Sequence, residues 1–219
     1  MKLKYSGVIF DLDGTLVDSL EDIAVSMNRA LRMHGFPELP LKEYLGKVGW
    51  GIKRLAYLSL PKEARNEETN ALIAADALNF YAETPIGYSK PYPGILELVS
   101  ALKGKKIKTA VLTNKPDHIA QKVISGLFLP GSFDCVQGEI HGKPRKPDPG
   151  SVWEILVGFD LVPSRVIFAG DSEIDMETAV AAGCFPMGVS WGYRSREIIK
   201  KSGARQIIDK PCEVMNFFL

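Results

Sequence analysis

The sequence predicts an α/β protein, a doubly wound parallel sheet with a block of helices inserted after its first strand. Three observations predict it. Short apolar runs of strand length alternate with helix-length amphipathic segments through the C-terminal two-thirds, and each run ends in polar or glycine residues. From Ser19 to about Tyr88 the alternation stops and only helical spacing is present. Alternation of this kind packs helices on both faces of a parallel sheet. Right-handed crossovers then bring the strand C-termini to one edge, where such sheets bind ligands.

The elements follow in order. Tyr5–Phe10 (YSGVIF) is the first strand. Ser19 followed by Asp22 reads as a capping-box-like helix start, backed by a stripe of Leu20, Ile23, Met27, Ala30 and Leu31. Leu41–Leu45, Ile52–Leu58 and Lys62–Tyr81 read as further helical segments, the last with Ala71, Ala74, Ala75 and Leu78 as apolar positions. Pro37, Pro40, Pro61 and Pro85 punctuate the insertion, which rejoins the sheet near Pro91–Gly94. Beyond it, Ile107–Leu112, Cys135–Gln137, Val166–Ala169 and Phe185–Val189 are strands, separated by helices at Ile95–Leu102, His118–Gly126, Ser151–Gly158 and Asp175–Ala182. The expected division is a core of residues 1–17 and 88–219 and a helical insertion of residues 18–87.

Composition bounds the function. The chain has 219 residues, with 27 Lys and Arg against 26 Asp and Glu, and a formal net charge of +1. That balance argues against a dedicated nucleic-acid binder, whose phosphate contacts need a surplus of cations. No apolar stretch approaches the roughly 20 residues needed to cross a bilayer, so no membrane partner is expected. Met1–Phe10 has no small-residue cleavage site, and no secretory signal is read there. Cys135, Cys184 and Cys212 share no metal-type spacing and read as small hydrophobes in a reducing, cytoplasmic setting.

The strand ends carry the chemistry. The first strand runs into Asp11-Leu12-Asp13-Gly14-Thr15, and in extended geometry Asp11 and Asp13 point to the same side. Two adjacent carboxylates repel, so one pKa rises unless a cation intervenes. An Asx-type turn with a solvated acid pair would account for this motif taken alone. Ile107–Leu112 runs into Thr113-Asn114-Lys115, placing a hydroxyl and a backbone N–H at the same edge. The stretch Gly142–Pro149 is a proline-stiffened loop with Lys143, Arg145 and Lys146. Val166–Ala169 runs into Gly170-Asp171-Ser172-Glu173-Ile174-Asp175, a second acid pair at a strand-to-helix junction, for which helix capping by Asp171 or Ser172 is the competing reading. If these ends converge, Asp11, Asp13, Asp171 and Asp175 against Lys146 leave three negative charges. A divalent cation and one protonated acid bring that to neutral. The site therefore expects a hard metal with oxygen ligands, most naturally Mg²⁺, and one acid able to donate a proton.

These four motifs, in this order, resemble those of the haloacid dehalogenase-like phosphatase superfamily, and the resemblance covers essentially the whole chain. It implies a Rossmann-like core with the helical insertion as a small cap domain. Val48-Gly49-Trp50-Gly51, Tyr92-Pro93-Gly94 and Trp191-Gly192-Tyr193-Arg194 are similar to stretches of phosphoglycolate phosphatases and their relatives. The resemblance implies Asp11 as the nucleophile, forming an aspartyl-phosphate, and Asp13 as the general acid and base. Asp11, the backbone carbonyl of Asp13, and Asp171 would hold Mg²⁺, with Asp175 as a further ligand or an orienter. Thr113 and the N–H of Asn114 would bind phosphoryl oxygens. Lys146, preferred over Lys143 because Lys-Pro-Asp-Pro is the family pattern, would offset charge. Where relatives often carry Asn before the last acid, this chain has Ile174.

Substrate choice is expected from the cap. Gly49 and Gly51 allow a tight loop that would bring Lys53 and Arg54 towards the sheet edge, where one of them is expected to meet an anionic group of the substrate. That stretch also begins like a dinucleotide fingerprint but lacks the third glycine and a preceding strand. His34, His118 and His141 are given ordinary surface or packing roles. The expected function is a Mg²⁺-dependent phosphatase acting on a small phosphorylated metabolite of the phosphoglycolate kind, as a monomer or homodimer. The alternatives are a phosphomutase of the β-phosphoglucomutase type and a pyrophosphatase or nucleotidase of the same superfamily. A receiver module that retains its phosphoryl group is disfavoured by Asp13 and by the inserted helices.

Overall fold

A computed structural model describes residues 5–218, so Met1–Lys4 of the leader reading lie outside the described residues. In chain order the elements are β1 (Gly7–Phe10), β2 (Val17–Asp18), α1 (Leu20–Met33), α2 (Ile52–Ser59), α3 (Glu67–Glu83), β3 (Lys90–Pro91), α4 (Ile95–Gly104) and β4 (Lys108–Pro116). Next come α5 (Asp117–Leu127), β5 (Cys135–Glu139), α6 (Gly150–Phe159), β6 (Val166–Gly170), α7 (Glu173–Ala182), β7 (Phe185–Val189), α8 (Arg196–Lys201) and β8 (Gln206–Ile208). Six strands form one sheet in the order β5-β4-β1-β6-β7-β8, and every pairing in it is parallel.

The central strands are apolar because both faces are covered. β1 and β6 are buried along their whole length. Alternation assigns their side chains to opposite layers. Val8, Phe10, Val111, Ile167 and Ala169 pack in one cluster, while Ile9, Ala110, Leu112 and Phe168 pack in the other. Strand order reverses at β1: the chain moves outward through β4 and β5, then returns to β6 on the other side of β1. Phe10 pairs with Val111 and with Ala169, so the residues that follow leave three adjacent strands at one level. That switch point is where a doubly wound sheet opens a crevice.

α1, α2 and α3 form the inserted unit, with α3 packed against both α1 and α2. The two chain passages that connect it to the sheet pair as an antiparallel ribbon, Val17 with Pro91 and Asp18 with Lys90. Asp22 fastens this junction by accepting from the N–H groups of Tyr88 (3.0 Å) and Ser89 (2.7 Å) and from Ser89 Oγ (2.5 Å).

Several local expectations are corrected. Ser19 makes no side-chain cap on α1; its hydroxyl donates to Asp13 instead. Of the segment Lys62–Tyr81, only Glu67 onward is α-helix, because Asn66 accepts from Thr69 N–H and resets the start. Leu41–Tyr44 is a 3₁₀ turn. The strand from Ile107 does not stop at Leu112 but runs through Pro116. The short pieces β2, β3, α8 and β8 carry too few residues for periodicity to reveal them. No described helix is long and apolar enough to cross a membrane.

Candidate active site

Asp11 is buried at the end of β1, and Asp171 and Asp175 are buried just past the end of β6. One carboxylate oxygen from each lies within 4.8 Å of the others. The chain brings them this close by removing side chains. Gly14 turns the backbone at φ +82, and a Cβ there would stand 2.5 Å from Asp171 Oδ2. Gly192 approaches from the other side, where a Cβ would stand 2.2 Å from Asp171 Cβ and 2.4 Å from the Gly14 carbonyl. Asp171 is thereby fixed. It accepts from Thr15 Oγ1 (3.2 Å) and from the Tyr193 N–H (2.7 Å).

Of the two capping candidates, Ser172 takes the cap, and Asp175 shares in it while also facing the site. Ser172 and Asp175 form a capping box at the start of α7, with Asp175 Oδ2 accepting from the Ser172 N–H (3.1 Å) and Oγ (2.6 Å). Its other oxygen, Oδ1, accepts from Lys146 Nζ at 2.6 Å. Lys146 Nζ also stands 2.9 Å from Asp11 Oδ1, an ion pair off the line of a hydrogen bond, so that buried oxygen has no hydrogen-bond donor. Lys143 points elsewhere and pairs with Glu154 at the surface.

A second buried ammonium was not assigned a role from sequence. Lys115, on β4, pairs with Asp13 Oδ1 at 2.7 Å and donates to the hydroxyl of Tyr81 on α3. Its chemistry was hidden because the strand was expected to end three residues earlier. The pairing of β4 with β5 shifts register between Leu112 and Pro116, as occurs where strands present side chains to a site. Thr113 Oγ1 accepts from the Lys115 N–H (3.2 Å), leaving its own proton to donate. The Asn114 amide donates to the carbonyls of Gly49 and Lys146, both at 3.0 Å, and so ties the inserted unit to the basic loop.

Four carboxylates now face two ammonium groups, leaving two negative charges. Burial, then the charge of Asp175, pushes the Asp11 carboxyl up to about 7 against the pull of Lys146. Burial, Asp175 and Asp11 likewise raise Asp171 well above the usual carboxylate range. Burial works against the charge of Lys146, but Asp11 and Asp175 outweigh it and hold the ammonium above its ordinary pKa.

Of these groups Asp11, Asp13, Lys115 and Lys146, with Thr113 and Asn114, floor a cavity of about 60 Å³; Asp171 and Asp175 stand behind it. Its roof comes from the inserted unit and is mainly apolar, with Ile23, Val48, Ile52, Leu55 and Leu78 beside Ser26 and Tyr81. A buried acid cluster thus lies at a switch point, with a hydroxyl and two cations beneath an inserted helical roof. The haloacid dehalogenase-like hydrolase family model matches residues 8–189.

The chain belongs to this family.

It is 33% identical to a phosphoglycolate phosphatase of Aquifex aeolicus over 85% of each chain, and 31% identical to one of Haemophilus influenzae over 99% of each chain. A crystal structure of a predicted phosphoglycolate phosphatase from Haemophilus somnus 129pt superposes with a TM-score of 0.92 at 28% identity, covering all of both chains. In this hydrolase the stretches that resembled phosphoglycolate phosphatases belong to one clamp. Trp191 Nε1 donates to the Thr15 carbonyl (3.0 Å), and Tyr193 Oη accepts from the Ser19 N–H (3.0 Å). Arg194 is buried and reaches the inserted loop, donating to the carbonyls of Leu45 and Val48. Glu173 joins Arg194 to Trp50 across the same seam.

The expectation for Lys53 and Arg54 is corrected. Both are exposed on α2 and neither lines the cavity. Ile52 and Leu55, three residues apart, take the inward face of that helix, which turns the two residues between them outward. The guanidinium of Arg54 lies over the Tyr57 ring, 5.4 Å from its centre. Gly49 does line the cavity, through its backbone.

The acid cluster fits a hard cation. Its donors are all oxygens, and Asp11 Oδ1 is a buried acceptor lacking a donor. Both oxygens of Asp175 and both of Asp171 already accept protein hydrogen bonds, and Asp175 is in addition held by Lys146, so Asp11 is the acid these contacts leave most open to a cation.

Proposed function

We propose that this chain hydrolyses a small phosphomonoester of the phosphoglycolate kind with Mg²⁺, through a phosphorylated Asp11. The observation that carries the reading is the convergence of Asp11, Asp13, Thr113 and Lys146 on one small roofed cavity. A carboxylate oxygen of Asp11 attacks phosphorus as the bond to the leaving alcohol breaks, and Asp13 gives that alcohol its proton. Asp13, now a carboxylate, takes a proton from water as the water attacks phosphorus, freeing phosphate and restoring Asp11. Thr113 donates to a phosphoryl oxygen. Lys146 offsets charge on Asp11 and on the transferring group. Asp11, the Asp13 carbonyl and Asp171 would hold Mg²⁺, which would supply Lewis-acid polarisation and offset the negative charge of the acid cluster. The setting is read as cytoplasmic, where the free thiols of Cys135, Cys184 and Cys212 stay reduced.

The test is phosphate release from a panel of about twenty small phosphate esters with Mg²⁺ and with chelator. The panel includes phosphoglycolate, sugar phosphates, nucleoside monophosphates and pyrophosphate. Release from phosphoglycolate that chelator abolishes is expected. Isomerisation of a sugar phosphate without free phosphate would establish a mutase instead.

Metal binding has a pH signature independent of turnover. Without metal, the folded protein keeps a proton on Asp11 up to about pH 7, whereas the unfolded chain releases it near pH 4. Between those values the folded state binds more protons, so the metal-free protein loses stability as pH rises through this window. Mg²⁺ needs the carboxylates ionised and is expected to stabilise more at pH 7.5 than at pH 5. At a hundredfold excess over Kd the gain is about 2.7 kcal/mol, or roughly 5–10 °C in Tm for a chain of this size. Scanning calorimetry at the two pH values reads it; an equal shift at both would count against metal on these acids.

A further inference from the structure

We infer that Lys115 selects substrates whose leaving group carries a carboxylate, by pairing its ammonium with that carboxylate next to the ester oxygen. The inference rests on the phosphatase reading above and names the residue that reads the leaving group. Among the described residues, Lys115 and Lys146 are the only cationic side chains lining the cavity. Lys146 is held between Asp11 and Asp175 on the phosphoryl side. Lys115 stands on the other side, 2.7 Å from Asp13.

That position is what an acidic leaving group requires. Asp13 delivers its proton to the ester oxygen, so a cation touching Asp13 lies one short span from that oxygen. In a 2-phosphooxy carboxylate only one carbon separates the ester oxygen from the carboxyl group. An ammonium has three N–H donors. Tyr81 occupies one, and Asp13 stands beside the ammonium as an ion pair, so a donor remains for the ligand. The inserted unit offers an anion no second charge: Ile23, Val48, Ile52, Leu55 and Leu78 roof the space, Ser26 spends its hydroxyl proton on the Asp22 carbonyl, Tyr81 is neutral, and Lys53 and Arg54 lie outside. A carboxylate buried there without Lys115 would be an uncompensated charge. Tyr81 sits on α3, so the inserted unit holds the reading cation in place, while the sheet supplies it.

The experiment compares kcat/KM for phosphoglycolate with that for ethyl phosphate, a neutral ester of similar size, in wild type, Lys115→Met and Lys115→Gln. The glutamine variant keeps a donor towards Tyr81 and Asp13 without the charge, and serves if the methionine variant does not fold. The ratio of the two values is expected to exceed one in wild type and to fall about 10- to 100-fold in either variant, the range for a hydrogen bond to a charged group. Equal losses on both esters, leaving the ratio unchanged, would assign Lys115 to supporting Asp13 alone and overturn the inference. A wild type that prefers ethyl phosphate would overturn it too, with the phosphatase reading intact. A wild type inactive on both esters would overturn the phosphatase reading and this inference together.

Discussion

Asp11→Asn is expected to abolish phosphate release, by about 10⁴-fold or more, while leaving the folded protein at least as stable. The two halves of that result have one cause. Burial and Asp175 make the ionised form of Asp11 costly, which is why its carboxyl is pushed up to about 7. An amide of the same shape carries no charge to desolvate, so the metal-free variant at pH 7.5 should melt no lower than wild type. The same amide cannot serve as the oxygen nucleophile, since it has no anionic lone pair to place on phosphorus. Phosphate release and thermal melting on one preparation read both halves. An Asp11→Asn protein that keeps a tenth of wild-type turnover would remove the covalent mechanism, whatever its melting point.

Lys146→Met should damage both properties. Among the described residues Lys146 is the only cation paired with Asp11 and Asp175, at 2.9 and 2.6 Å, and all three side chains are buried. Removing one partner of a buried ion pair leaves an uncompensated charge, at a cost of about 3–5 kcal/mol. For a chain of this length that is a Tm loss of roughly 6–20 °C. The loss should be largest in metal-free protein at pH 8. It should shrink towards pH 5.5, where Asp11 takes up a proton. Turnover should fall by about 10³-fold, because the charge that faces the transferring group has gone. A variant within 2 °C and tenfold of wild type would show that Lys146 is not part of the site's charge balance. Lys143→Met, at the exposed end of the same loop, is the control, and its pair with Glu154 should contribute less than about 1 kcal/mol.

Much of this was legible before any coordinates. The strands appear in the sequence because a parallel strand covered on both faces must be apolar throughout, and the chemistry begins where that run ends. Asp11, Thr113 and Asp171 each occupy such a position, although the strand through Thr113 runs on to Pro116. Other features were visible only as rivals. Capping by Asp171 or Ser172 competed with chemistry at the junction of β6 and α7, yet Ser172 caps α7 together with one oxygen of Asp175, whose other oxygen holds Lys146. Ser19 looked like a helix cap, and its hydroxyl is committed to Asp13 instead. In each case the local pattern was present, but the partner that decided its use lay in another segment.

By itself, then, the sequence determined the type of fold and the acids at its strand ends, since period and polarity are properties of neighbours along the chain. Which cations meet those acids was decided by tertiary structure alone. Lys53 and Arg54 have the right charge but sit on the outward face of their helix, while Lys115 and Lys146 are folded in from β4 and a distant loop. Nothing local encodes that selection: an ion pair depends on distances of about 3 Å between segments about 30 to 135 residues apart, and those distances exist only once the sheet register and the seating of the inserted helices are fixed.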